Sequence, residues 1–463
     1  MFFERPEAGR RAVLLHVDFS RPDPDEILDT VQECVDLGAS AGVEVVEIVR
    51  ARRQAPHPRW FVGEGKLEEL EACLRACDAD LLLINHDVSA GQQRNLERRL
   101  ECRVLGRTEL ILHIFAERAR SYEGKLQVEL AQLRHAQTRL VRGWAHLDRQ
   151  KGGIGLRGAG ETQLELDQRM LSERVKSLQA KLEQVGRRRD AGRRRRQRGN
   201  VRTVSLVGYT NAGKSTLFNA LTSAGVVAED QLFATLDPTM RRLELPGMGE
   251  VVLTDTVGFI SNLPHSLVEA FKATLEEVAG ADLLLHVVDV SAEDVSARVH
   301  QVDRVLEEIG ARQRPTILVL NKVDALTGAG PADAAALPLG HAAVPGDGAG
   351  EGLTGERAAP NLIASVAVSA RSGAGLPVLL DTIARALGLA APAEVLLPPG
   401  EGSTRAWLYR LGAVLDERTE EDGSLTLTVR ADEDVLAQLA RRPGVCCRAG
   451  GRSIEFPALS GEM

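Results

Sequence analysis

The stretch GYTNAGKST, from Gly208, satisfies G-x-x-x-x-G-K-[ST]. It follows TVSLVG, which reads as a strand, and runs into KSTLFNALT, which reads as a helix. In that setting the N–H groups of Gly208, Tyr209, Thr210, Asn211, Ala212 and Gly213 surround phosphate at a helix N-terminus. Lys214 then reaches the β and γ groups and Ser215 holds magnesium. The loop alone leaves ATP and GTP open. Downstream, TILVLNKVD delivers Asn321, Lys322 and Asp324 from a strand end. An aspartate carboxylate can accept from the ring N–H and the exocyclic amine of guanine, whereas adenine offers no such donor pair. The reading is therefore GTP. Between these motifs, VVLTDTVG places Asp255 at a strand end to reach magnesium through water, with Gly258 free to meet a γ-phosphate through its N–H. In QLFATLDPT a threonine should close over the metal, and Thr235 is preferred to Thr239. After SVAVSARSGAG, the residues Ser369, Ala370 and Arg371 would back the base.

A second glycine cluster competes for the phosphate. KGGIGLRGAGETQLELDQR, from Lys151, contains GIGLRG, a match to G-x-G-x-x-G. That fingerprint needs a strand before its first glycine, and VRGWAHLDRQK supplies helix-seam residues and charge instead. Apolar residues recur at 126, 130, 133, 140, 144 and 147, and again at 171, 175, 178, 182 and 185, the 4,3 spacing of a heptad seam. Two such arms read as an antiparallel hairpin, each of about 25 to 30 residues and roughly 40 Å. The glycines become its tip, and Thr162 with Glu165 forms a capping box opening the second arm.

The elements around these motifs set the frame. The 463 residues, 44% hydrophobic and 26% charged, suit several soluble domains. Residues 1–118 alternate strand-like runs with amphipathic stretches, including helices over Asp25–Ala41, Lys66–Cys77 and Ala90–Leu100, and read as a small parallel α/β domain. There VGEGK reads as a turn into a helix, with an ATP-driven activity on RNA as the weaker alternative. Residues 119–199 form the hairpin linker and 200–391 the nucleotide domain, with an Ala/Gly-rich insertion over 326–360. Residues 400–463 form a small α/β unit with a turn near Glu421–Gly423 and a helix over Asp432–Arg441. The six cysteines show no zinc-like spacing and read as buried thiols. No signal pattern or membrane-length apolar run appears, so a cytoplasmic location is expected, with peripheral membrane association as the alternative.

Net charge is −8, yet residues 119–199 hold 20 Lys and Arg against 9 Asp and Glu. RRRDAGRRRRQR contributes Arg187, Arg188, Arg189, Arg193, Arg194, Arg195 and Arg196, and the tip adds Lys151 and Arg157. These are the candidate RNA contacts, the alternative being a solvated basic linker.

Together, GGIGLRGAGETQLELDQR, GYTNAGKST, QLFATLDPT, DTVGFI, LPHSLVEAFKATLEE and NKVD resemble the HflX family of translation-factor-related GTPases, to about residue 390. The resemblance implies a P-loop GTPase domain, mostly parallel sheet flanked by helices. An α/β domain and a helical linker precede it; the small α/β unit that follows is read from the residues after 400 themselves. The resemblance also implies GTP and GDP as ligands, and binding to the RNA of the large ribosomal subunit near the peptidyl-transferase region. The tasks it implies are ribosome splitting or rescue under stress, or subunit maturation, by a monomer that does not act on DNA. Carried over residue by residue, nucleotide contacts fall at Gly208 to Ser215, at Phe233, Ala234, Thr235, Leu236 and Asp237, and at Asp255, Thr256, Val257 and Gly258. Asn321, Lys322, Val323 and Asp324 follow, with Ser369 to Arg371, and the metal falls to Ser215 and Thr235.

Hydrolysis departs from the simplest template. After DTVG, where many relatives carry a water-orienting glutamine, stands Phe259, so slow intrinsic turnover is expected. Lys214, Thr235 and Gly258 are the candidates for stabilising the transition state. Asn211 resembles the residue that holds potassium in potassium-activated GTPases, with loop stabilisation as the equal alternative. A GTP-dependent switch for a protein or membrane partner is the alternative function.

Overall fold

The structure is a computed structural model that describes residues 10–19, 30–143, 159–198, 201–222, 232–245, 249–260, 271–292, 295–326, 361–388, 393–411, 413–420, 423–429, 433–442, 444–449 and 452–453. Four parallel strands, β1 (Arg11–Phe19), β2 (Glu44–Arg53), β3 (Leu81–Ile84) and β4 (Arg103–Gly106), pair in the order β2-β1-β3-β4. Parallel pairing needs crossovers. These are α1 (Thr30–Ser40), α2 (Glu64–Ala76) and α3 (Ala90–Leu100), and α4 (Arg107–Arg118) leaves the last strand. The period-2 alternation of β1 sends Ala12 and Leu14 into one core and Val13, Leu15 and Val17 into the other, so helices cover both faces. Ser89 opens α3 with a capping box to Gln92. In VGEGK, Gly63 is the extended residue before α2 and Lys66 pairs with Glu69 at 2.6 Å.

The linker is a helical pair of unequal arms, α5 (Tyr122–Gly143) and α6 (Ala159–Arg198). Leu126, Leu130 and Leu133 of α5 are buried against Leu171 and Leu178 of α6, with Val175 and Leu182 alongside. Two expectations are corrected. α6 has 40 residues, about 60 Å at 1.5 Å per residue, against 22 residues for α5. It also starts at Ala159, so Thr162 lies inside it and does not cap it. The arginine run continues this helix because arginine is a good helix former, and Ala191 and Gly192 do not break it. The proposed tip, residues 144–158, lies outside the described residues.

A six-stranded sheet follows: β5 (Thr203–Gly208), β6 (Thr239–Leu245), β7 (Gly249–Asp255), β8 (Leu283–Asp289), β9 (Thr316–Asn321) and β10 (Leu362–Ala367). Their order is β10-β9-β8-β5-β7-β6, parallel except for the antiparallel β6. It is flanked by α7 (Lys214–Thr222), α8 (Lys272–Ala279), α9 (Val295–Glu308) and α10 (Leu376–Ala386). The insertion from residue 327 to 360 lies outside the described residues. The last sheet, β12-β13-β11-β14-β15, is antiparallel. It comprises β11 (Ala393–Leu397), β12 (Val414–Thr419), β13 (Leu425–Val429), β14 (Cys446–Ala449) and β15 (Arg452–Ser453), with α11 (Gly402–Arg410) and α12 (Glu433–Ala440). Because β11 is central in it, this unit begins before residue 400. All six cysteines are free thiols, and Cys446 is exposed, contrary to the expectation that the thiols are buried. Among the described residues no helix is long and apolar enough to cross a membrane.

Candidate nucleotide site

β5 ends in a loop whose shape requires its glycines. Gly208 has φ +147, and a Cβ there would collide with the carbonyl of Val287; Gly213 has φ +87, where a Cβ would collide with the Asn321 amide. Asn211 has φ +58, a region asparagine tolerates better than most residues. α7 begins at Lys214, whose ammonium donates to the carbonyls of Gly208 (3.1 Å) and Tyr209 (2.7 Å). Burial pushes its pKa down to about 8, opposed by the Asp255 carboxylate. The loop is stitched to the DTVG segment: Thr210 N–H donates to the Phe259 carbonyl at 2.7 Å, and Phe259 N–H donates to that of Gly208 at 3.1 Å.

Ser215 Oγ, Thr235 Oγ1 and Asp255 Oδ2 lie 2.8 to 2.9 Å from one another. Asp255 is fully buried, its pKa is raised by burial, and its second oxygen, Oδ1, has no hydrogen-bond partner. Three converging oxygens, an anionic carboxylate and an unpartnered buried oxygen suit a hard, oxygen-seeking cation such as magnesium. Thr239 instead opens β6, opposite Asp255 in the ladder. Gly258 completes the pocket, since a Cβ there would stand 2.8 Å from Thr210 Cγ2 and 2.9 Å from Lys214 Nζ. The pocket is lined by Thr210, Asn211, Gly213, Lys214, Ser215, Phe233, Ala234, Thr235, Thr256 and Gly258, and also by Thr216, which the sequence reading missed although it is the second hydroxyl of GKST.

Several of the carried-over residues turn their side chains elsewhere. Tyr209 turns its hydroxyl to Glu33 of α1, and Ala212 is buried in the sheet core. Val257 and Leu236 pack on the core shared with the N-terminal domain. Asp237 accepts from the N–H groups of Arg120 (2.9 Å) and Ser121 (2.6 Å) and from the Ser121 hydroxyl, so its carboxylate is committed to the start of α5. Thr256 lines the pocket while its hydroxyl donates to the Leu206 carbonyl at 2.5 Å. Phe259 is buried among Val207, Leu275 and Val278, away from the phosphate pocket.

At the base end, Asn321 is a strut. Its amide donates to the Ala212 carbonyl at 2.9 Å and accepts from Ala370 N–H at 3.0 Å, which ties the phosphate loop to the SAR loop and leaves one N–H and one lone pair for a base. Lys322, at φ +66, pairs with Asp289 at 2.8 Å, and Val323 is buried in an apolar cluster. Asp324 stands exposed on the 3-10 turn Val323–Ala325. Ser369 is buried and its hydroxyl accepts from Ser372 N–H at 3.1 Å, leaving Ala370 and the exposed Arg371 to flank a base.

The N-terminal domain supplies contacts that no local motif announces. Arg107 and Tyr209 both donate to Glu33, and Arg107 also donates to Asn85 at 2.7 Å. The ring of Phe233, a residue at φ +57, meets Phe115 of α4 edge-on at 4.6 Å. Of the basic residues, Arg187 and Arg188 are exposed. Arg189 is instead paired with Glu123 (2.8 Å) and Glu277 (3.8 Å), a tie between the hairpin and the GTPase sheet's helices. Arg193 is half-buried; the side chains of Arg194, Arg195 and Arg196, and all of Lys151 and Arg157, lie outside the described residues.

Comparison with known proteins matches four family descriptions along the chain. They are "GTP-binding GTPase N-terminal" over residues 29–116, "GTP-binding GTPase Middle Region" over 118–196, "50S ribosome-binding GTPase" over 203–322 and "HflX C-terminal domain" over 356–451. The chain is similar to "GTPase HflX" of Escherichia coli (strain K12), 51% identical over 92% of this chain and 95% of that protein. It is also similar to "GTPase HflX" of Magnetococcus marinus, 44% identical over 94% and 96%, and of Caldanaerobacter subterraneus, 42% identical over 91% and 90%. With the phosphate loop, the oxygen triad and the exposed Asp324 in place, this near full-length similarity shows that the chain belongs to the HflX family of GTPases and binds and hydrolyses GTP.

Proposed function

We propose that this GTPase acts on the large ribosomal subunit, in splitting or rescue of ribosomes under stress or in subunit biogenesis, from the cytoplasm or its membrane periphery. The observation that carries the reading is the match of residues 203–322 to the "50S ribosome-binding GTPase" description. A long helix with Arg187 and Arg188 exposed in its C-terminal third supports it, because guanidinium groups there would neutralise RNA phosphates.

Ser215 and Thr235 would hold magnesium, with Asp255 behind them, and bound magnesium neutralises charge on the β and γ oxygens. Lys214 adds a buried cation at the phosphate loop, and Gly258 lines the same pocket, where its N–H would meet the terminal phosphate. The backbone bonds between Thr210, Phe259 and Gly208 fix that N–H relative to Lys214. With the Phe259 ring in the core, nothing at that position orients an attacking water, so intrinsic turnover is slow until a partner completes the site. The positive φ of Asn211 is by itself sufficient reason for asparagine there. A potassium role adds a requirement that turnover be faster in potassium than in matched sodium, and equal rates leave the residue structural.

The test is gradient sedimentation of the full chain with purified large subunits and a non-hydrolysable GTP analogue at low salt. Co-migration is expected, weakening with GDP. Absence of co-migration at low salt overturns the ribosomal reading and leaves a switch for a protein or membrane partner.

A further inference from the structure

We propose that Ser121, outside the GTPase sheet at the N-terminus of α5, is a positioning residue for hydrolysis that holds Thr235 in place through Asp237. The proposal rests on the reading of Ser215 and Thr235 as magnesium ligands. Thr235 lies between two anchors, and both come from one unit outside its own sheet. Two residues before it, Phe233 adopts φ +57 and inserts its ring against Phe115, which also meets Phe271 at 4.9 Å. Two residues after it, the Asp237 carboxylate takes the N–H groups of Arg120 and Ser121 and the Ser121 hydroxyl. That hydroxyl oxygen in turn accepts from Gly124 N–H at 2.8 Å, so Ser121 caps α5 and holds Asp237 with one group.

Gly124 gives an independent sign that the clamp is built closely. A Cβ at Gly124 would collide with Asp237 Oδ1, although the residue sits in a helix where alanine is otherwise better tolerated. The two anchors move as one body, because Arg139 of α5 pairs with Glu109 of α4 at 2.9 Å and α4 carries Phe115. α5 is also the arm whose leucines pack on α6. A force on the hairpin therefore reaches Thr235 through Asp237 directly and through Phe233 by way of α4, and by linkage a metal-bound Thr235 stiffens the base of the hairpin.

The experiment uses the full chain as parent, Ser121→Ala, Ser121→Thr and Gly124→Ala. Affinity for a fluorescent N-methylanthraniloyl GMPPNP is read with and without magnesium, and amide hydrogen exchange is read over residues 232–237. Affinity for the fluorescent GDP in EDTA serves as the folding control. In Ser121→Ala and Gly124→Ala the magnesium-dependent gain in GMPPNP affinity should fall roughly three- to thirty-fold, the range a lost helix cap sets. Exchange over 232–237 should rise, GDP affinity in EDTA should hold, and Ser121→Thr should behave as the parent. Unchanged gain and unchanged exchange in both disrupting variants overturn the proposal and reduce the clamp to a contact between domains. A parent without any magnesium-dependent gain sinks the magnesium reading instead, and the exchange measurement then decides the clamp alone.

Discussion

At the scale of single residues, Gly258 and Asp324 carry the two chemical claims, and each yields to one substitution. Gly258→Ala places a methyl against Thr210 and Lys214 and would displace the N–H proposed to meet the terminal phosphate. Turnover should fall roughly 100-fold or more, the scale of losing one preorganised donor, with GDP affinity changed by only a few-fold. Asp324→Asn exchanges a double acceptor for a group that is half donor; GTP affinity should fall by roughly 10³-fold or more and xanthosine triphosphate binding should rise, read by competition against fluorescent GDP. The residues of this site were legible where a motif of fixed spacing announces them: Lys214 and Ser215 from the phosphate loop and Asp255 and Gly258 from DTVG meet within one pocket or triad. The partner of the Asp237 carboxylate, Ser121, and that of the Asn321 amide, Ala370, were not legible, because no local pattern joins segments so far apart in sequence. A carboxylate or amide beside a ligand pocket looks the same in sequence whether it faces the ligand or a backbone N–H.

At the scale of elements, the seam of the helical pair was legible because its leucines repeat at heptad spacing, and Leu126, Leu130 and Leu133 do meet Leu171 and Leu178. The start of α6 was not, because Thr162 with Glu165 fits a capping box equally well one turn inside a helix. Leu178 is fully buried, so Leu178→Ala should cost about 2 to 5 kcal/mol of hairpin stability, read as faster amide exchange along α5 and α6 with GDP affinity intact. Arg187→Ala with Arg188→Ala should lower the salt dependence of subunit binding by about one power of salt concentration per arginine, a slope that sedimentation at graded potassium chloride measures. Arg189→Ala should differ, since its pairs with Glu123 and Glu277 join the hairpin to α8.

At the scale of the molecule, the order of units was legible from alternating patterns, while the docking of the N-terminal domain and hairpin on the phosphate loop and the 232–237 segment was invisible to any local period. Glu33, Arg107, Phe115 and Ser121 look like ordinary surface or core positions until the fold brings them to Tyr209, Phe233 and Asp237. The central sheet also carries a pH liability. His286 on β8 is buried, and burial, reinforced by the Lys214 cation, pushes its pKa down to about 4. The unfolded chain takes up that proton near 6.5 and the folded chain does not, so the neutral form's stability is complete above about 6.5. It is lost as pH falls toward 4, by roughly 3 kcal/mol. His286→Leu should flatten the fall in urea midpoint between pH 6.5 and 4.5 relative to the parent chain.

We propose that GTP hydrolysis on this chain waits for a group the large ribosomal subunit supplies, because the Phe259 ring is buried in the core and cannot orient a water. Single-turnover hydrolysis of bound GTP, with and without saturating large subunits, tests it directly. Acceleration of roughly 100-fold or more is expected, the scale of positioning one water. An identical rate in the presence of saturating, co-sedimenting subunits would contradict the account.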